Sequence, residues 1–496
     1  MTASRSDRPT ARPRMEMIAE PSALAAFDEL HASGVRCCLW KGTVRLERNL
    51  DGGGDLDLLV HADDLPRFRR ILARTGWQRS RPTAGAAPNS EDHFLVDGAS
   101  GRLVHLDATV HLRPDGFARD LPGIWRELLL EGRRINPAGV PVPDPAVEAA
   151  LLLVRLTRQA VPITPLLQAR RPRPLVERRR ELAELASATS GRAILSVLEV
   201  ALPDRAIPAA TDALAEPSRR NLARLGRRID GPMAPARASL RQARPTARRL
   251  VRGANDRWFH RDLATRRTFP GGGLIVAVVG SDGSGKSSLV ERLATEHASK
   301  FNTLTLYLGS GDGPASFLRL PLKIARDVLR PAKDDRTPSD QPPRRPPTLA
   351  RAAWALSLAR EKRRRLDRAQ RARSRGFLVI ADRWPQTQIH GENDGPLLAA
   401  WSDAPSPILR RLAVIERHPY DLAAARGPDL VLRLDVDPTT AHRRRPGSTE
   451  SYLARRAALA RSLTWDPATT QVVPLDANAP ADEVFRLACL AIWMAR

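Results

Sequence analysis

Cysteine is scarce in this 496-residue chain, occurring only at Cys37, Cys38 and Cys489. That excludes a disulfide framework, and the spacing is not that of a zinc site, so a reducing, cytoplasmic setting is expected. No run approaches the roughly 18 apolar residues of a membrane span. The Arg-rich start MTASRSDRPTARPR is followed by no apolar stretch of a secretion signal, so a soluble protein with no membrane partner is expected. Aromatic residues make up 4% of the chain, and lysine occurs only at Lys41, Lys286, Lys300, Lys323, Lys333 and Lys362. The formal charge of +25 is therefore carried almost entirely by arginine. Such a charge attracts polyanions through counterion release. No aromatic-interleaved basic motif accompanies it here, so the arginines read as solvated surface and nucleic acid is not expected as a partner.

What the chain does contain is enough apolar residues, 42%, to build proper cores, together with 42 prolines that suggest long connectors. Its length suggests two to four units at about 150 residues each. Residues 1–14 read as a disordered arm. Residues 15–207 read as an α+β domain: the strands CCLW and DLDLLV, an amphipathic helix DDLPRFRRILARTGW, and a hairpin of FLVDG with RLVHLDATVHL. A helical extension follows from Asp144 in PAVEAALLLVRLTRQA, LVERRRELAELASATS and RAILSVLEVAL. Residues 208–268 are Arg- and Pro-rich with weak periodicity and read as a linker. From 269 to 496 strands alternate with helices, predicting an α/β domain with a parallel, helix-covered sheet, interrupted at 334–347 by a disordered insertion.

The stretch Val279–Ser287, VGSDGSGKS, fills the pattern G-x-x-x-x-G-K-[ST] with Gly280, Gly285, Lys286 and Ser287. Its glycines let successive N–H groups turn toward phosphates, and the helix that follows adds its positive dipole end. The segment Gly280, Ser281, Asp282, Gly283, Ser284, Gly285, Lys286, Ser287 and Ser288 is thus expected to cradle ATP. Lys286 would reach the β- and γ-phosphates, and the Ser287 hydroxyl would ligate Mg²⁺. Asp382-Arg383-Trp384 follows the strand FLVIA at the sheet edge where ligands bind in such folds. There Asp382 can hold the water shell of Mg²⁺ and Arg383 can clamp an acceptor phosphate. Arg443, Arg444 and Arg445 precede a Pro446-Gly447 turn and read as a flap over the transferring phosphoryl group.

These residues resemble the thymidylate kinase family over roughly 273–490. The resemblance implies a P-loop kinase using ATP and Mg²⁺ on a small-molecule acceptor, with a homodimer through this domain as one open form. It implies that Asp282 lies near the acceptor's sugar and that Arg383 meets the acceptor phosphate. Flap arginines would replace a basic loop residue where this chain has Gly283, and Arg360 matches a further phosphate-contacting arginine. The chain departs from the family at Leu308-Gly-Ser-Gly311, where Arg-Glu-Pro-Gly-Gly is usual. It departs again at PQTQIHGENDGP, where the family has a Ser and then a Tyr-Gln pair that recognises thymine. The acceptor is left open between a nucleotide, a nucleoside and a sugar phosphate.

In the first domain, Gly42 to Asp57 reads GTVRLERNLDGGGDLD. Gly42 and Thr43, then Asp55 and Asp57 on one face of a strand, resemble the nucleotidyltransferase superfamily over about residues 20–200. The resemblance implies a metal pair held by Asp55, Asp57 and a third carboxylate, for which Asp107 fits. Lys41 serves either a triphosphate or a plain surface, and His105 and His111 flank Asp107 as structural residues. An Asp-Leu-Asp hairpin end, or the same fold without activity, stands beside this reading.

Overall fold

The structure, a computed structural model, describes residues 22–81, 90–112, 121–160, 173–230, 267–269, 271–309 and 349–495. The expected arm, the linker between 231 and 266 and the 334–347 insertion lie outside the described residues.

The first unit begins with α1 (Ala23–Ala32), whose Ser22 hydroxyl caps the Leu24 N–H at 3.2 Å. There follow β1 (Cys37–Lys41), α2 (Leu46–Leu50), β2 (Asp55–Val60), α3 (Leu65–Arg74), β3 (Gln78–Arg79), β4 (Ser90–Val96) and β5 (Leu103–Thr109). The strands form a five-stranded mixed sheet in the order β1-β2-β5-β4-β3. β4 and β5 are the expected antiparallel hairpin, while β2 and β5 run parallel with Asp57 opposite Asp107 and Asp55 opposite His105. Strand alternation divides the sheet. Leu56, Leu58, Val60, Val104 and Leu106 pack with Phe27, Leu30, Phe68 and Ile71 of α1 and α3. Leu59, on the face of Asp55 and Asp57, packs with the helical extension.

That extension contains α4 (Gly123–Glu131), the small hairpin β6 (Arg134–Ile135) and β7 (Pro141–Val142), α5 (Pro145–Ala160), α6 (Arg173–Ser187), α7 (Gly191–Ala201), α8 (Ile207–Ala215) and α9 (Arg219–Asp230). The last two stand where the sequence predicts a linker. α8 buries the small residues Ala209, Ala210 and Ala213, which give a weak apolar period, whereas α9 buries Leu222 and Leu225 and turns its arginines outward. Gly226 lies so close to Thr157 of α5 that a Cβ there would sit 3.2 Å from the threonine Cβ.

The second unit holds β8 (Leu274–Gly280), α10 (Lys286–Lys300), β9 (Thr303–Tyr307), α11 (Leu349–Ser374), β10 (Leu378–Asp382), α12 (Pro407–Arg426), β11 (Leu430–Asp435), α13 (Pro438–Arg444), α14 (Glu450–Ser462), β12 (Gln471–Asp476) and α15 (Ala481–Met494). Its five strands are all parallel in the order β12-β11-β8-β10-β9. β8 is an unbroken apolar run because both its faces are covered. Leu274, Val276 and Val278 pack with α10 and α15, and Ile275, Ala277 and Val279 pack with α11.

The two units share a core. Phe94, Val96 and Leu103 of the first sheet join the cluster of Phe269, Leu293, Phe301 and Trp493. The Phe94 and Phe301 rings lie 4.5 Å apart, Trp493 Nε1 donates to Gly76 O at 3.2 Å, and Leu103 N donates to Glu296 Oε1 of α10 at 3.2 Å. No described helix is long and apolar enough to cross a membrane.

Candidate phosphate-binding site

The loop after β8 turns because its glycines accept left-handed backbone: φ is 82° at Gly283 and 87° at Gly285, the residue that starts α10. Gly283 is also required by its neighbour. A Cβ there would stand 2.7 Å from the Ala441 carbonyl oxygen and 3.0 Å from its Cα. Helix α13 therefore lies directly on the loop, and the position where the resembled family carries a basic side chain has no room for one. Arg444 donates from Nη1 to Gly283 O at 3.5 Å, and Arg445 Nη1 lies 3.6 Å from Asp282 Oδ1. Arg443 instead bonds Thr440 on its own helix at 3.0 Å. The flap expectation thus finds two of its arginines at the loop and one turned along α13.

Lys286 is buried, with Nζ donating to Ser281 O at 2.5 Å and lying 3.5 Å from Ser284 Oγ. Burial and the nearby Arg383 push its ammonium down to about 8, against the pull of Asp282, Asp382 and Asp394. Triphosphate favours the charged lysine, so in the free protein the cation is present below about pH 8 and is lost as pH rises through that value. Binding above pH 8 must then take up a proton. Calorimetry with an ATP analogue in buffers of different ionisation enthalpy is expected to show proton uptake growing from pH 7 to pH 9; uptake that does not change would contradict the placement of Lys286.

Adjacent parallel strands bring the metal candidates together. β10 pairs with β8, Asp382 opposite Val278, so the carboxylate stands beside the loop. Ser287 Oγ donates to Asp382 Oδ2 at 2.9 Å. Asp382 Oδ1 is buried and has no hydrogen-bond partner among the described residues. A hydroxyl beside a carboxylate with one unused oxygen fits Mg²⁺, which binds through one or two protein oxygens plus water and substrate phosphate. Ser288 is exposed at the start of α10.

Arg383 takes φ 72°, and its N–H is tied to Val278 O at 3.0 Å. Its guanidinium lies between two carboxylates, 3.3 Å from Asp282 and 3.4 Å from Asp394. Burial alone would push the Asp282 carboxyl up, yet Lys286, Arg383, Arg456 and Arg445 hold it below its ordinary value. Arg360 lies exposed on α11, with no described contact to the loop. Asp394 was not visible as a site residue in the sequence. Its only signal is the turn-like run HGENDGP, which gives no hint that it folds back onto Arg383.

The first domain's candidates also come together, but already engaged. Asp55 bonds His105 Nδ1 at 2.7 Å and Lys300 Nζ at 3.0 Å, so the C-terminal end of α10 reaches across to it. His105 Nε2 bonds Asp92 at 2.8 Å, and Arg267 pairs with Asp92 at 2.8 Å. Asp57 pairs with Lys41 at 2.7 Å, and Asp107 accepts from Ser90 Oγ at 2.7 Å. Burial raises the Asp57 carboxyl, opposed by Lys41 and helped by Asp107 and Asp55. Thr43 donates its N–H to Glu148 Oε1 at 3.1 Å and its hydroxyl to Oε2. Gly42 takes φ 81° at this turn, and His111 sits past β5 with its backbone tied to Thr109. This arrangement does not fit a metal-bound triphosphate. Lys300 and Lys41 supply the countercharge of Asp55 and Asp57, and the buried Glu148 carboxylate already takes the Thr43 N–H and hydroxyl. Among the described residues no group of three or more His, Cys, Asp or Glu is placed to hold a metal ion.

No protein-family model matches the chain. It is 32% identical over 228 residues to the uncharacterized ATP-binding protein YghS of Escherichia coli (strain K12), covering 45% of this chain and 93% of YghS. To the uncharacterized ATP-binding protein YghR of the same strain it is 31% identical over 222 residues, covering 44% of this chain and 86% of YghR. The chain belongs to the family of YghS and YghR. More than half of it lies outside the match to either relative. Among solved structures it is similar to the thymidylate kinase of Candida albicans, at 16% identity and TM-score 0.27 over 45% of this chain and 91% of that one. Similarity to the Ehrlichia chaffeensis thymidylate kinase is 15% at TM-score 0.26, over 45% and 99%. To the deoxyadenosine kinase of M. mycoides it is 13% at TM-score 0.24, over 43% and 97%. Likenesses at these scores assign no activity to the chain.

Proposed function

We propose that the chain is an ATP- and Mg²⁺-dependent phosphotransferase that passes the γ-phosphoryl group to a nucleotide or related small molecule. The observation that carries this reading is the meeting of Lys286, Ser287 and Asp382 at the C-terminal edge of the parallel sheet, with Asp382 Oδ1 buried and without a hydrogen-bond partner among the described residues. The names of YghS and YghR as ATP-binding proteins support the same nucleotide. In this reading the backbone from Gly280 to Ser288 cradles the phosphates, and Lys286 neutralises their charge. Ser287 and Asp382 hold Mg²⁺, which when bound neutralises charge shared by the β- and γ-phosphates. Arg444 and Arg445 close over the loop from α13, and Arg383 marks the acceptor side. The chain's own contribution is positioning and preorganised charge in a site sheltered from water.

Nucleotidyl transfer by Asp55, Asp57 and Asp107 is not favoured, because each carboxylate is engaged within the fold. We propose instead that the first domain braces α10 through Lys300 and Glu296. A cytoplasmic setting remains part of the proposal, supported by three buried free cysteines.

The test is the Mg²⁺ requirement for binding the non-hydrolysable analogue AMP-PNP. Asp382→Asn is expected to raise the Mg²⁺ concentration needed by about tenfold or more. An unchanged requirement would remove Asp382 from the metal site.

A further inference from the structure

The loop after Arg383 holds polar groups that the ATP side leaves unused. Asn393 and Asp394 adopt φ of 45° and 68°, the left-handed region that asparagine and aspartate enter more readily than other side chains. Several buried groups hold them there. Gln386 donates to the carbonyls of Ile389, Glu392 and Asn393 at 2.8, 3.0 and 3.1 Å. Lys362, fully buried, donates to Asp394 O at 3.2 Å and lies 3.3 Å from Tyr420 Oη.

The charges around this loop are paired. Arg383 is shared by Asp282 and Asp394, Arg445 also meets Asp282, and Arg455 and Arg456 meet Glu392 at 2.5 and 3.5 Å. Each of these guanidiniums already faces a carboxylate, an arrangement that competes with an incoming phosphate dianion. Beside them are buried donors with no hydrogen-bond partner among the described residues: Asn393 Nδ2, Arg455 Nε and Arg456 Nε. Buried donors of this kind are met by ligand oxygens.

We infer that the acceptor subsite lies between this loop and α14, and that it takes a neutral, polyhydroxylated small molecule through a hydroxyl group rather than a phosphate monoester. The inference rests on the phosphotransferase reading and narrows its acceptor. The acceptor hydroxyl meets the Arg383–Asp394 pair from its open side, and its further oxygens accept from Asn393, Arg455 and Arg456. The hydroxyl oxygen forms a bond to the γ-phosphorus. The bond from that phosphorus to the β,γ-bridging oxygen breaks, and its electron pair leaves with ADP. The hydroxyl proton passes to the Asp394 carboxylate. A phosphate monoester acceptor would need a free guanidinium and no base, the reverse of what is present.

The deciding experiment uses the full chain with AMP-PNP and Mg²⁺ filling the donor side and inorganic phosphate as the probe. Removing the Asp394 charge leaves Arg383 facing one carboxylate instead of two, so Asp394→Asn is expected to bind phosphate about tenfold or more tightly than the unaltered protein. Equal affinity in the two, tight or undetectable, overturns the inference. Asp394→Ser replaces the variant if Asp394→Asn fails to bind AMP-PNP. Absence of AMP-PNP binding in the unaltered protein would instead overturn the phosphotransferase reading, and the inference with it. In transfer from γ-labelled ATP to matched pairs, a polyol or nucleoside against its monophosphate, the unphosphorylated member is expected to be labelled faster; the opposite order contradicts the inference.

Discussion

Replacing Lys286 by alanine or methionine is expected to abolish ATP-dependent phosphoryl transfer and to weaken ATP binding about 30-fold, or about 2 kcal/mol, the usual worth of a charged hydrogen bond. The ammonium is buried and held between Ser281 O and Ser284 Oγ, so it is preorganised at the start of α10 and needs little rearrangement to meet phosphate. Its loss also takes away one of the positive charges that offset Asp282 and Asp382 before the triphosphate. Lys286→Met keeps most of the side-chain packing and isolates the charge. Calorimetry of AMP-PNP binding, with the fold checked by thermal unfolding, reads the effect. Affinity within twofold of the unaltered protein would remove the loop from the site.

Gly283→Arg tests how the flap is held. The change places a Cβ where the Ala441 carbonyl oxygen lies 2.7 Å away and forces a non-glycine residue to φ 82°. Together these are expected to cost about 2–4 kcal/mol and to lift α13, with Arg444 and Arg445, off the loop. The added guanidinium would not rescue the site, although some members of the resembled family carry a basic residue inside this loop. Hydrogen exchange is expected to lose protection across 438–445, with transfer falling in step. Unchanged protection would mean that α13 does not rest on the loop as described.

The parts of this arrangement that could be read in the sequence are those written in contiguous residues. VGSDGSGKS carries its own geometry in its glycine spacing, and the apolar runs LIVAVV and FLVIA announce strands covered on both faces. Alternation places Asp55 and Asp57 on one face, and the parallel pairing of β2 with β5 then brings Asp107 opposite Asp57. What could not be read depends on long-range contacts between unremarkable residues. Nothing near Glu148 signals that it would cap Thr43, or that Lys300 would cross from the second unit to Asp55. The helix at 207–215 was hidden because alanines make most of its buried contacts, and the leucines of 219–230 stand among arginines that read as linker. Asp394 reaches Arg383 only because Gln386 and Lys362 fold its loop back, and neither residue belongs to a recognisable pattern.

Titration of AMP-PNP with Mg²⁺ into the full chain measures the central claim most directly, because it counts nucleotide sites. The account predicts a single site per chain, weakened about 30-fold in Lys286→Met and retained in Asp55→Asn. Two sites, or binding that keeps its affinity in Lys286→Met and disappears in Asp55→Asn, would contradict it.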